Sequence, residues 1–318
     1  MEHRRKEILG HLSAFSAYVI WGVLPIYWKQ IDHVPAKEIL AHRVLWGFVF
    51  LLLFNVFSRR RDFFRLLKNR QTRRTLYITS ALIAVNWLVF IFAVISGHIV
   101  DASLGYFINP LVSVFLGMLF FREKLNLLKA IAVLFAMTGM LYLAIDYGKF
   151  PWISIALALS FGFYGLAKKS FNLDPINSIM SETLFLSVIA IGYIGFLAFQ
   201  GTGHFVVGDR NTNMYLIIGG LVTMLPLYLF ANGANKIPLA SVGFLQYFAP
   251  SLMLIIGVIK YGEALTQTYL ISFLFIWTGL ALYSVNLVRN RFRSYSKQRK
   301  AARRSSAADR SGIRRISE

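Results

Sequence analysis

Long apolar runs broken by short polar interruptions fill the chain from residue 8 to residue 289. A helix rises about 1.5 Å per residue, so about 20 apolar residues cross a hydrocarbon layer of roughly 30 Å. Ten stretches meet that length: 8–28, 37–57, 74–95, 100–121, 127–146, 151–169, 178–200, 212–235, 239–261 and 266–289. The pattern predicts an all-α integral membrane protein with ten transmembrane helices. Only SGHI separates the third stretch from the fourth, so these two could also be read as one span. The first stretch follows MEHRRKE like a signal peptide, but it is too long for such a segment and nine more follow.

The few polar and small residues inside the runs repeat. Residues 102–110 read ASLGYFINP and residues 240–250 read ASVGFLQYFAP, with two extra residues in the second copy. From there a shift of 140 pairs Pro110 with Pro250, Gly117 with Gly257, Glu123 with Glu263, and Gly139 with Gly279. Backwards, the same shift pairs Gly22 with Gly162, Lys29 with Lys169, Pro35 with Pro175, and Phe90 with Phe230. The chain therefore reads as a duplication. One five-span unit covers 8–148, a second covers 149–289, and a tail follows from 290 to 318. An odd number of spans per unit makes the second copy enter the membrane from the opposite side. Inverted repeats of this kind belong to secondary transporters, whose sites lie at the midplane where helices are interrupted. Pro110 and Pro250 each stand about ten residues, roughly 15 Å, into their spans. Both are expected to break their helices and free carbonyls that only a protein-lined or watery cavity tolerates.

Composition agrees: 57% of residues are hydrophobic, 15% are charged, and the mean hydropathy is +0.58. A net charge of +20 would suit a nucleic-acid binder, but the distribution points elsewhere. With a cytoplasmic N-terminus, 28 of the 34 Lys and Arg fall on the inner side, eight of them in 58–74 and eleven from Arg289 onward. This is the positive-inside bias, and it predicts that both termini are cytoplasmic while Asp101 and Arg210 face outward. The 290–318 tail, rich in Arg, Lys and Ser, is expected to be disordered and to lie against lipid. No cysteine is present, which removes disulfides and thiolate metal sites.

The segments HRVLW (42–46), NWLVFIFAV (86–94), ASLGYFINPL (102–111), FYGLAKK (163–169) and PLASVGFLQYFAP (238–250) resemble the RarD-type permeases of the EamA branch of the drug/metabolite transporter superfamily. The resemblance implies ten helices in two inverted repeats and export of small molecules, with a nominal link to chloramphenicol sensitivity. Asp101 stands where that family usually carries Glu, and the basic tail is longer than in many of its members.

Each polar residue within the spans has a functional reading and a plainer one. Asn86, Asn109 and Gln246 reach mid-depth and are candidates for a substrate cavity, with Trp87, Tyr106, Tyr164 and Tyr228 as its walls; the amides would otherwise glue helices together. Arg43 costs about 2.5–3.5 kcal/mol at the bilayer centre, and either snorkels outward or acts as a gate. His42 either makes an interhelical hydrogen bond or carries a proton. Glu182 needs a cation, for which Lys168 or Lys169 is available, and the pair is a gate or a structural bridge. Asp101 is a further outer gating candidate, and Glu123 and Glu263, at span ends beside loops, are expected to be structural caps or interface charges. Coupling would come from protons, another ion gradient or exchange, because no GxxxxGK[ST] phosphate loop is present. No cofactor or nucleic acid is expected; the partners are a small-molecule substrate and membrane lipids. The expected protein is a secondary exporter of the bacterial inner membrane. A lipid-carrier flippase and an intramembrane lipid-processing enzyme are the rivals.

Overall fold

The computed structural model of the chain describes residues 2–57, 68–121, 127–146, 150–171, 175–205, 209–234, 236–237 and 245–285. Among these residues the regular structure is helical and there is no strand. The helices are α1 (Glu2–Trp28), α2 (Ala36–Phe57), α3 (Arg70–Ile95), α4 (Ile99–Phe121) and α5 (Leu127–Asp146). They continue as α6 (Trp152–Phe171), α7 (Pro175–Gln200), α8 (Arg210–Ala234), α9 (Phe248–Ile255) and α10 (Gln267–Val285). A 3-10 turn (Lys29–Ile31) extends α1, and a π turn (Ile256–Lys260) extends α9. Seven of the helices are long and apolar enough to cross a membrane, and α5, α6 and α9 supply three shorter apolar segments. Glu123, the 290–318 tail, most of the 58–74 loop and the 239–244 start of the ninth stretch lie outside the described residues.

The third and fourth stretches are two separate helices. Gly97 ends α3 at φ +76°, a backbone state in which a side chain would be strained. The His98 N–H then donates back to the Ala93 carbonyl at 2.7 Å, and α4 begins at Ile99. At the other end of α3, Asn69 accepts from the N–H groups of Gln71 and Thr72 at 2.9 and 3.1 Å.

Large apolar side chains cover the outside of the bundle. Phe199, Ile145, Ile189 and Val188 are among the most exposed, as a lipid-facing surface requires. The interior carries the small polar groups instead: Asn86, Ser103, Ser154, Ser160, Thr223 and Ser272 are buried. Many of the hydroxyls satisfy themselves on the preceding turn, as Thr223 does on the Gly219 carbonyl at 2.9 Å.

The packing partners come in pairs related by the shift of 140. Helix α1 packs on α8 and α9, while α6 packs on α3 and α4. Helix α2 packs on α7 and α8, and α7 also packs on α3. At residue level, a Cβ on Gly22 would meet the Leu252 Cβ at 2.7 Å, and one on Gly162 would meet the Val112 Cγ1 at 2.7 Å. A Cβ on Gly139 would strike the Ser272 carbonyl at 2.8 Å, and one on Gly279 the Ala132 carbonyl at 2.7 Å. Val112 and Leu252, and likewise Ala132 and Ser272, stand 140 apart. Residues 132 and 139 meet 279 and 272 in reversed order, so α5 and α10 run antiparallel.

One expected feature differs. Pro110 does not break its helix: α4 runs unbroken from Ile99 to Phe121 with the proline buried inside it. A proline removes one N–H and crowds one carbonyl, and the hydrogen bonds on either side are enough to carry this helix through. Pro250 occupies the third position of α9, just after a turn at Gln246 and Tyr247, and its carbonyl accepts from the Ser103 hydroxyl at 2.8 Å.

Candidate functional site

Charged side chains gather at three levels of the bundle. At the end where α1, α3 and α7 finish, Glu38 in the first turn of α2 is 1% exposed. It accepts from the His204 backbone N–H at 2.6 Å, and its second oxygen meets the His204 Nδ1 at 2.8 Å. This pins the 201–205 loop, which follows α7, onto α2. Phe205 then lies against the His42 ring, with centroids 4.6 Å apart, and 6.2 Å from the Trp46 ring. His33 belongs to the same mouth: its Nε2 is 3.1 Å from the Thr212 Oγ1. Hydrogen bonds from the Thr212 side chain and backbone hold the neighbouring Asp209 carboxyl below its ordinary range.

Arg43 follows His42 on α2 and is only 4% exposed. Its guanidinium carbon sits 4.4 Å from the centroid of Trp87 and 5.4 Å from that of Trp28. A desolvated cation–π contact contributes on the order of 2 kcal/mol, so two of them offset much of the roughly 2.5–3.5 kcal/mol that an arginine costs in the bilayer centre. The rings answer the charge but not the hydrogen bonds. Arg43 Nε and Nη1 are buried without an acceptor, as are Trp28 Nε1 and Trp46 Nε1. Each buried donor left unmade costs about 1–3 kcal/mol, so the cluster is poorly arranged for stability alone. Snorkelling does not describe this arginine, because its charged end is enclosed.

Asn86 and Tyr106 form the next layer. The Tyr106 hydroxyl donates to Asn86 Oδ1 at 3.3 Å, and the phenol is an electrostatic neighbour of Arg43. The Asn86 amide donates to the Leu157 carbonyl at 3.1 Å and to the Ser160 hydroxyl at 3.0 Å. Those bonds tie α3 to α6, which is the glue geometry. Asn109 is buried on α4 with Oδ1 unpartnered. Gln246 lies in the turn before α9, beside Tyr247, whose ring stacks on Phe107 at 6.4 Å. The three amides therefore do not form one hydrogen-bonded group. Of the two readings of His42, the interhelical hydrogen bond is not made: neither ring nitrogen has a partner.

At the opposite end Glu182 is buried on α7 and takes three donors. Lys168 Nζ approaches at 3.1 Å, Tyr164 Oη donates at 3.0 Å, and Ser178 Oγ donates at 3.3 Å. Lys168 also sits 4.9 Å from the Tyr164 centroid. Tyr164 is thus a partner of the ion pair, one turn along α6 from Ser160, which accepts from Asn86. Tyr228 is 39% exposed. It faces Phe54 edge-on at 5.3 Å and lines an apolar groove of about 270 Å³ with Met224 and Leu225. Asp101 is separate from Arg43: its carboxylate accepts from the Tyr269 hydroxyl at 2.7 Å, and its carbonyl accepts from Ser154 at 2.7 Å. A small cavity of about 160 Å³ lies beside it, with His98 and Trp152 on its walls. Glu263 is a cap, its two oxygens each 2.8 Å from the N–H groups of Ile99 and Val100 at the start of α4.

Glu38, His204, Phe205 and Trp28 were not singled out from sequence. Glu38 does carry a signal, since it precedes His42 by one turn on the same face of α2. His204 and Phe205 sit in a loop whose approach to α2 no local pattern encodes.

The EamA-like transporter family matches residues 8–145 and again residues 151–285. The chain belongs to that family, in its RarD branch. It is 40% identical over 287 residues to the uncharacterized transporter YojE of Bacillus subtilis, covering 88% of this chain and 95% of that protein. It is 39% identical over 280 residues to protein RarD of Salmonella typhi, with the same coverage. A solved crystal structure aligns at a TM-score of 0.59 and 17% identity over 88% of this chain and 98% of its own, a likeness of fold alone. In this EamA permease the enclosed arginine and the two ionic groups at the ends of the bundle are the features that need a functional account.

Proposed function

We propose that this permease is a secondary exporter of small, partly apolar molecules that works by alternating access in the bacterial inner membrane. Two inverted five-helix units, 8–148 and 149–289, would rock around a site between them, with both termini cytoplasmic. The observation that carries the reading is a polar tie at each end of the bundle: Glu38 and His204 join α2 of the first unit to the loop after α7 in the second, and Lys168 and Glu182 join α6 to α7 within the second unit. A carrier must open each end in turn. Ties made of a few hydrogen bonds can be broken and remade, whereas a packed apolar seam is harder to open. Repeat-related packing, including the matched Gly139 and Gly279 crossings, supports the two-unit arrangement. The positive-inside bias supports the orientation.

Reconstituted counterflow tests the reading. Proteoliposomes should exchange a labelled soluble substrate against an excess on the other side, and Glu182→Gln should slow that exchange. The apolar groove beside Tyr228 favours a second reading, a lipid-carrier flippase that takes its substrate sideways from the bilayer. Movement of a labelled lipid with no counterflow of soluble molecules would select it.

A further inference from the structure

We propose that Arg43 is the recognition point for the anionic head of the substrate, and that the transported molecule is a small carboxylate on a flat apolar body. This rests on the permease reading and names the class of its cargo. Every unpartnered polar atom of Arg43, Trp28 and Trp46 is a donor with no capacity to accept: Arg43 Nε and Nη1, Trp28 Nε1 and Trp46 Nε1. Among the described residues no carboxylate lies within ion-pair distance of Arg43, and Glu38 at the start of the same helix is paired with His204. A buried surplus of donors around a positive charge is complementary to an oxyanion. The guanidinium edge that carries Nε and a terminal nitrogen suits the two oxygens of a carboxylate. Trp28 and Trp87 supply flat apolar walls against the guanidinium, and Tyr106, its electrostatic neighbour, packs edge-on against Phe90. The Phe205 loop, held by Glu38, lies against His42, the residue before Arg43, so binding and closure of that end share the same helix.

The test uses the full chain in lipid nanodiscs and three probes of matched size: phenylacetate, phenethylamine and 2-phenylethanol. Tryptophan fluorescence is the binding readout, since Trp28 and Trp87 border the guanidinium. Phenylacetate should bind saturably, and the cation and the alcohol at least tenfold more weakly. Arg43→Gln should weaken phenylacetate at least tenfold while melting close to the wild-type temperature, because the lost ring contacts are offset by removing buried donors that no acceptor meets. Arg43→Lys should fall between, keeping the charge but losing the fork. Absence of saturable phenylacetate binding, equal binding of the cation, or unchanged binding by both variants overturns the proposal. Counterflow in matched proteoliposomes separates the two readings. Phenylacetate binding without counterflow keeps the anion site and removes the permease reading. Counterflow of the amine or the alcohol that is indifferent to Arg43→Gln keeps the permease and removes the anion site.

Discussion

Gly220→Ala is the sharpest structural test of how α2, and Arg43 with it, is held. Helices α2 and α8 cross with almost no space at this point. A Cβ on Gly220 would lie 2.5 Å from the Gly47 nitrogen, 2.5 Å from the Trp46 carbonyl carbon and 2.6 Å from the Trp46 Cβ. Ordinary contact begins at 3.4 Å, so the methyl would intrude by about 0.9 Å on backbone that no rotamer change can move. Overpacking of this kind costs about 1–3 kcal/mol, and three rigid contacts put it at the upper end. Alanine returns about 1 kcal/mol of helix propensity. The net expectation is a loss of about 1–2 kcal/mol, with α8 displaced from α2. Gly47→Ala is the control: its Cβ would meet the Met224 Cε at 2.7 Å, the far end of a flexible side chain that can swing away. Differential scanning fluorimetry in one detergent should show Gly220→Ala melting clearly below wild type and Gly47→Ala close to it. Counterflow by Gly220→Ala should drop as well, since Trp46 lies within one turn of Arg43. Equal melting of the two variants would refute the argument that backbone contact fixes this crossing.

Three further expectations concern the site and its orientation. Glu182→Gln keeps the shape and lets Tyr164 reorient, but it strips Lys168 of its anion; at 18% exposure of that lysine we expect a loss of about 1–2 kcal/mol and at least tenfold slower counterflow. Normal flux between pH 6 and 8 would remove Glu182 from the gate. Single cysteines replacing Arg65 and Arg210 should be labelled from opposite sides by an impermeant thiol reagent, and same-side labelling would defeat the inverted arrangement. Asn86→Leu should lower the melting temperature because its amide ties α3 to α6, whereas Asn109→Leu, with an unpartnered oxygen, should change ligand affinity with little effect on melting. The reverse pattern would exchange their roles.

The helices and their repeat were legible because lipid imposes long apolar runs and because close crossings demand small residues at fixed positions. Gly22, Gly139, Gly162 and Gly279 recur at the shift of 140 for the physical reason that each faces another helix at contact distance. Glu182 was legible in part, since a buried carboxylate needs a cation and Lys168 was in reach. Arg43 was visible as a cost, but its tryptophan neighbours were not: Trp28 and Trp87 come from α1 and α3, and no sequence pattern fixes how those helices rotate. The same ignorance of rotation left Tyr228 without a facing, and the structure sets it edge-on to Phe54 in an apolar groove. Depth was readable along each span; facing was not. At Pro110 the sequence rule overstated the effect, because an α-helix with intact turns on both sides absorbs one missing N–H.

The crossing of α5 and α10 also bears on how such a chain can diversify. In an antiparallel pair of identical single units, one glycine would serve both crossings, and a single change would damage the assembly twice. In a fused chain the two crossings answer to different codons, Gly139 and Gly279, so one half can drift while the other is held. The positions 140 apart show the outcome. Trp28 faces the place of Lys168, His42 that of Glu182, and Arg43 that of Thr183. The scaffold glycines stayed matched, and the polar side chains at the two ends of the bundle became different, which leaves each end with its own chemistry.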